Sequence, residues 1–104
     1  MMRLRALPEV SDDIAAAANW YRQIDVDLSV DYVEAVYASL GLIFATPLIR
    51  KPVYKEYRRG LMRRFPYVVY YRVANEELII ALIIHTARDP VRVRRILLSR
   101  EKAD

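Results

Sequence analysis

The apolar run LIIALII, Leu78 to Ile84, constrains the fold more than any other part of the sequence. Seven consecutive apolar residues lack the alternation of a half-buried strand, and they predict a strand that is buried on both faces in the middle of a sheet. The run is far shorter than the roughly 20 residues needed to cross a bilayer. A chain of 104 residues has room for one core, so a single domain over residues 1–104 is predicted.

The first half of the sequence has helical periodicity. After a short strand from Met2 to Leu7, Pro8 suits the first turn of a helix, and a second helix is predicted from about Ser29 to Ala45. Because few residues separate these helices, an antiparallel hairpin is expected. Its apolar stripes are Val10, Ile14, Ala17, Ala18 and Tyr21 on the first helix, and Tyr32, Val36, Ser39, Leu40, Ile43 and Phe44 on the second.

The second half has the period of strands. EYRRGLMRR is a plausible strand, and YVVYYRV (Tyr67 to Val73) alternates between two faces before the apolar run. The tail over residues 91–104 fits either a short helix or a last edge strand. The order β-α-α-β-β-β predicts an α+β fold of two layers, with the hairpin on one face of a mainly antiparallel sheet and arginines and tyrosines on the other.

The charge is divided unequally along the chain. Residues 1–49 have three basic and seven acidic groups, a net −4, whereas residues 50–104 have fourteen and six, a net +8. This asymmetry favours a basic face for an anionic partner, either nucleic acid or an acidic protein segment, and the alternative is a solvated arginine-rich surface. With no cysteine and no secretory signal, we expect a soluble cytoplasmic protein that does not engage a membrane.

Most chemical classes lack their residues. One histidine and no cysteine argue against a metal site, Gly41 and Gly60 stand alone rather than in a phosphate loop, and no cofactor is implied. What remains is a surface of arginines interleaved with tyrosines, which suits RNA or an acidic peptide. Tyr67 and Tyr71 are predicted to be core residues. The predicted partner-binding residues are Arg58, Arg59, Arg63, Arg64, Tyr70, Arg72, Arg88, Arg92, Arg94 and Arg95.

His85 follows the apolar run, where the strand leaves the core. A neutral imidazole there could act as an acid or base near pH 7, or it could cap the strand at the turn that Asp89-Pro90 indicates. The interpretation as a strand terminator is favoured, because no carboxylate or metal partner for the histidine is visible in the sequence.

The chain resembles the RelE/ParE superfamily of bacterial type II toxins. The resemblance rests on ANWY in the first helix, on RRGLMRRFPYVVYYRV, on the apolar strand and on HTARDP at its end, and it extends roughly from Leu4 to Leu98. It implies a small, basic, cytoplasmic toxin that is neutralised by a cognate antitoxin with an acidic or amphipathic segment.

The superfamily has two activities. The RelE-like branch cleaves messenger RNA on the ribosome, and an mRNA endonuclease of this kind would have to use His85, Arg88, and Arg63 or Arg64. Val68 stands where that branch is usually basic, and no aromatic residue follows Tyr71. The ParE-like branch poisons DNA gyrase without catalytic residues of its own, and the resemblance is closer to it. The predicted function is therefore non-enzymatic gyrase inhibition, with the ribosomal nuclease and a degenerate antitoxin-binding protein as alternatives.

Overall fold

The chain folds around one five-stranded sheet in the computed structural model, which describes residues 1–103. The strand order is β1-β5-β4-β3-β2; β1 is parallel to β5, and the other neighbours are antiparallel. The α+β class, the helical hairpin and the mainly antiparallel sheet are thereby confirmed. The elements are β1 (Arg3–Ala6), α1 (Glu9–Ile24), α2 (Val26–Ala45), β2 (Pro52–Tyr54), β3 (Tyr57–Leu61), β4 (Tyr67–Ala74), β5 (Glu77–His85) and α3 (Pro90–Ala103).

The two helices of the hairpin meet at Asp25. Its backbone N–H donates to Tyr21 at the end of α1, and its side chain accepts from the N–H of Asp27 at 3.0 Å. One residue therefore ends α1 and caps α2, so α2 begins at Val26 and not near Ser29 as predicted. The predicted stripes are buried or half-buried except for Phe44, which is 38% exposed in the last turn.

The apolar run forms the inner part of β5, which lies between β1 and β4. Leu78 to Ile83 are buried on both faces, as predicted. Ala81 is an extra residue opposite β4, because Tyr70 pairs with Leu82 while Tyr71 pairs with Ile80. This bulge bends the strand at the position where β1 ends.

Two elements were not predicted as such. β2 is a three-residue edge strand with a proline, too short to show a period. The tail, which was left open, is the helix α3, and its Val93 and Leu97 are buried on the face of the sheet opposite the hairpin. Arginines and tyrosines were expected to be open on that face, but Tyr70 is only 8% exposed beneath α3.

A largely buried ion pair secures the edge of β5 beyond the end of β1. The N–H of Leu7 donates to the carbonyl of Ile80. Farther along β5, the N–H of Ile83 donates to the carboxylate of Asp13 in α1 at 3.1 Å. Arg100 of α3 binds both oxygens of Asp13 at 2.7 Å and donates to the carbonyl of Ala81 at 2.8 Å. The hydrogen bond to Asp13 raises the pKa of Arg100, so the guanidinium stays charged at any usable pH.

Helix α2 has the length and apolar composition of a membrane-crossing helix, and 28% of its most apolar window is buried. Helices that pack on the core of a globular domain meet the same two criteria. The length of α2 is therefore weak evidence for a membrane.

We predict that Arg100→Met lowers the free energy of unfolding by about 3–5 kcal/mol, because it leaves the Asp13 carboxylate buried without its cation. Urea denaturation followed by circular dichroism measures the change. Arg64→Met is the matched control: its partner Asp31 lies 3.3 Å away in a solvent-exposed pair, whose loss costs about 0–1 kcal/mol. Equal losses in the two variants would contradict the structural role of the buried pair.

Candidate partner-binding surface

Two grooves meet at the carboxyl end of β5. The α1 groove lies between α1, the end of β5 and the start of α3, and has a volume of about 790 Å³. Its apolar wall includes Trp20 and Ile24 of α1, both more than half exposed, and its cationic wall includes Arg88 and Arg92 between the end of β5 and the start of α3. An apolar wall facing a cationic wall fits an amphipathic acidic segment.

The α3 groove lies on the other face of the sheet, between the β2–β3 hairpin and α3, with a volume of about 330 Å³. Arg59, Arg88 and Arg94 line it together with Tyr54. The Arg94 guanidinium lies 5.4 Å from the centre of the Tyr54 ring, within the range of a cation–π interaction. This groove therefore presents three cations around one partly buried aromatic ring.

An aromatic cluster supports the α1 groove from below. The Tyr32 ring packs edge-on against Phe65 at 5.3 Å and Tyr67 at 5.1 Å, and Tyr21 packs on Phe65 at 5.0 Å. Burial raises the pKa of Tyr32 far above its usual value, and the neighbouring Tyr67 and Tyr21 raise it further. The Tyr32 hydroxyl has no hydrogen-bond partner within the described part of the chain. These tyrosines are neutral packing groups. The predicted core position of Tyr71 is confirmed, whereas Tyr67 is half-buried and packs against the core.

His85 lies at the junction of the two grooves, and hydrogen bonds fix its ring and backbone. Its Nδ1 accepts from the N–H of Ala87 at 3.0 Å, and its carbonyl accepts from the N–H of Arg88 at 3.2 Å. This hydrogen bond engages the lone pair of Nδ1 and favours the tautomer with the proton on Nε2. Asp89 accepts from the N–H of Val91 at 3.0 Å and so caps α3. These contacts agree with a strand terminator.

The predicted site residues fall into separate parts of the surface. His85 and Arg88 share the α1 groove, whereas Arg63 and Arg64 line a third groove beside α2. The structure therefore does not bring the four residues of the nuclease alternative into one groove. Arg59, Arg63, Arg88, Arg92, Arg94 and Arg95 are exposed, while Arg58, Arg72 and Tyr70 are half-buried or buried.

Two predicted arginines are engaged by nearby groups. Arg58 donates to the carbonyls of Leu48 and Arg50, so it holds the loop that follows α2. Arg64 forms the exposed pair with Asp31. Their hydrogen bonds give both side chains a structural task besides any contact with a partner.

Sequence reasoning missed the apolar wall of the α1 groove and the ring of the α3 groove. Trp20 and Ile24 lie off the buried stripe of α1, and that displacement was the available signal. Tyr54 lies in the edge strand that has no readable period. The grooves depend on α3, whose position the sequence pattern left open.

The fold and these grooves define a class: a small α+β domain whose surface grooves combine cations with apolar side chains. Residues 4–90 match the family described as the ParE toxin of the type II toxin–antitoxin system, parDE, and the chain belongs to this family. No curated protein sequence gives a significant match. The match ends where α3 begins, so the Arg100 anchor lies outside it.

A solved structure supports the same architecture. The chain is similar to one in the chromosomal ParDE toxin–antitoxin system from P. aeruginosa, with a TM-score of 0.75 and 18% identity. The alignment covers 82% of this chain and 96% of that one. At this identity the similarity concerns the fold.

We predict that Tyr32→Phe leaves the free energy of unfolding unchanged or raises it by about 1 kcal/mol, because it removes a buried hydroxyl without a partner. Tyr71→Phe is the matched comparison: its hydroxyl donates to the carbonyl of Pro47 at 2.8 Å, and its loss is expected to cost about 1 kcal/mol. Thermal denaturation of both variants measures the difference. A greater loss in Tyr32→Phe than in Tyr71→Phe would contradict this account.

Proposed function

We propose that this ParE-family toxin inhibits DNA gyrase by binding it, without catalysis of its own, and that a cognate antitoxin neutralises it. Membership in the ParE toxin family supports the toxin role. The expected location remains the cytoplasm, where gyrase and the antitoxin would both meet the toxin.

The observation that carries the non-enzymatic mechanism is the state of His85. Ribonuclease cleavage needs a group that takes a proton from the 2′-hydroxyl and another that protonates the leaving oxygen. The Nδ1 atom of His85 accepts a hydrogen bond from the N–H of Ala87, so this lone pair is engaged within the chain, which supports a non-catalytic role. Arg88, its neighbour in the groove, is a permanent cation and cannot serve as the base.

The gyrase contact is proposed on the exposed arginines of β3, of the loop that follows it, and of α3. A surface of this kind steers and orients an anionic partner while requiring no chemistry of its own. Arg59 of β3 and Arg94 of α3 both line the α3 groove, so the two segments proposed to contact gyrase come together there.

The antitoxin is proposed to bind the α1 groove. Trp20 and Ile24 offer apolar anchors, and Arg88 and Arg92 offer charge pairs to an acidic segment. Aromatic anchors dominate many protein interfaces, while exposed charges chiefly set the association rate and the salt dependence. Neutralisation would therefore rest on both walls of the groove.

We predict that the purified chain blocks the ATP-dependent supercoiling of relaxed plasmid by gyrase, and that Arg59→Glu/Arg94→Glu requires at least about tenfold more protein for the same effect, a shift of about 1.4 kcal/mol. Arg3→Glu/Arg22→Glu is the control, because it makes the same charge change on residues outside the two grooves. Agarose gels of the plasmid topoisomers measure inhibition.

Normal supercoiling at saturating toxin would reject gyrase as the target. Cleavage of messenger RNA in a translating extract, lost in His85→Ala, would establish the ribosomal nuclease instead. Expression without growth arrest and without either effect would identify a member that only binds its antitoxin.

We predict that Trp20→Ala weakens the complex with the antitoxin of the adjacent reading frame by about 2–4 kcal/mol, since a central aromatic anchor is lost. Arg88→Ala/Arg92→Ala should instead reduce the dependence of affinity on salt. In the unmodified complex, 1 M salt should weaken binding without dissociating it, because apolar burial is not screened. Titration calorimetry at several salt concentrations measures all three.

Val53→Ala is the control for this set, since Val53 lies in the α3 groove on the other face of the sheet. Complete dissociation of the unmodified complex by salt alone would contradict the role of the apolar wall.

A further inference from the structure

The outward face of α2 is apolar, exposed and separate from both grooves. Tyr37 is 64% exposed, Leu48 just beyond the helix is 60% exposed, and Leu42 and Phe44 are more than one-third exposed. None of these four residues lines the α1 groove or the α3 groove. We call these side chains, together with the small residues Ala38, Gly41 and Ala45 between them, the α2 face.

The α2 face has no charge. Between Glu34 and Arg50 the sequence contains no acidic or basic side chain, although 29% of the whole chain is charged. Soluble monomers rarely leave a large contiguous apolar patch open to water, and such patches mark interaction sites. Ala38 and Leu42 at one edge of the face also line the third groove, where Arg63 and Arg64 lie. Tyr37, Gly41, Phe44 and Leu48 line none of the three grooves, so an acidic segment would find few charge pairs over the centre of the face.

The shape of the α2 face is complementary to itself. Tyr37, Gly41 and Phe44 recur at the three- and four-residue spacing that places side chains along one side of a helix, and Leu48 follows just beyond its end. At Gly41 the space that a Cβ would enter has no atom within 4 Å, so this point is open to a close neighbour. If two antiparallel helices cross at Gly41, Tyr37 of one copy lies over Ala45 of the other, and Phe44 lies over Ala38.

The available area fits a modest interface. An aromatic side chain presents about 150–250 Å², so these exposed residues amount to several hundred square ångströms per copy. Stable interfaces bury about 800 Å² per partner, and smaller ones are transient. Two uncharged faces can also meet without placing like charges against each other, as two copies of either arginine-lined groove would.

We propose that the α2 face is a homodimer interface, through which two copies of this chain pack α2 against α2 in an antiparallel crossing at Gly41. The dissociation constant is expected to be on the order of 1–10 µM. The dimer leaves the α1 and α3 grooves of each copy open. It does not depend on whether gyrase is the target.

Sedimentation equilibrium of the full chain tests the dimer, with Gly41→Gln as the central variant. Since glutamine favours a helix more than glycine does and the space around Gly41 is open, the variant should fold at least as stably as the parent. In the dimer its side chain would enter the crossing point, so dimerisation should weaken at least tenfold. Val53→Gln, on the opposite face of the sheet, should dimerise like the parent.

Disulfide trapping tests the geometry independently, because the natural chain has no cysteine. Mild oxidation should convert the Gly41→Cys variant into a covalent dimer, while the Val53→Cys variant should remain monomeric on non-reducing gels. Preferential crosslinking of Val53→Cys would overturn the proposed interface.

Three other outcomes would also overturn it. The first is a protein that stays monomeric at a concentration about a hundredfold above the expected dissociation constant. The second is a dimer that Gly41→Gln does not weaken, and the third is loss of antitoxin binding in Gly41→Gln. The last result would assign the α2 face to the antitoxin. Binding of the full chain to lipid vesicles that Gly41→Gln abolishes would assign it to a membrane surface.

Discussion

The unpaired edge of β5 is the constraint on which the arrangement of the helices depends. β1 contributes four residues beside a strand of nine, so the N–H of Ile83 would be buried without an acceptor. Asp13 supplies that acceptor, and a buried carboxylate in turn requires a cation. Arg100 meets this need from the far end of α3. A short first strand thereby determines where the last helix lies, and the position of that helix creates both grooves.

The division of charge along the chain has the same physical basis. Carboxylates of the first half make contacts within the fold: Asp13 holds the edge of β5, Asp25 caps α2, and Asp31 binds Arg64. Their basic partners are two of the fourteen basic residues in the second half. Most of the exposed arginines around the grooves, among them Arg92, lie in parts of the chain with few acidic neighbours. Arg59, Arg88, Arg92 and Arg94 line the α1 and α3 grooves, so part of the excess positive charge of the second half lies there.

How well an element could be predicted from the sequence depended on its length and on the regularity of its pattern. The stripe of α1 and the alternation of β4 are long enough to show a period, so the hairpin and the sheet could be predicted. The prediction for Phe44 was wrong: Ile43 in the same last turn is buried, whereas Phe44 is 38% exposed. β2 and α3 could not be assigned, since one has three residues and the other is held by Arg100, a contact with a residue 87 positions away. The grooves are tertiary features, so the sequence indicated arginines, Tyr70 and His85 as candidates but not which of them line a common groove.

The two proposed interfaces differ in what would drive them, and this difference keeps them apart. In the α1 groove, Arg88 and Arg92 attract an acidic segment over about a Debye length before Trp20 is buried. The α2 face exerts no such attraction and relies on apolar contact alone, so it selects a partner that is equally uncharged. A second copy of the chain meets that condition and reaches a useful concentration only where the toxin accumulates. Occupancy of the groove would then respond to salt and antitoxin, whereas pairing through α2 would respond to toxin concentration.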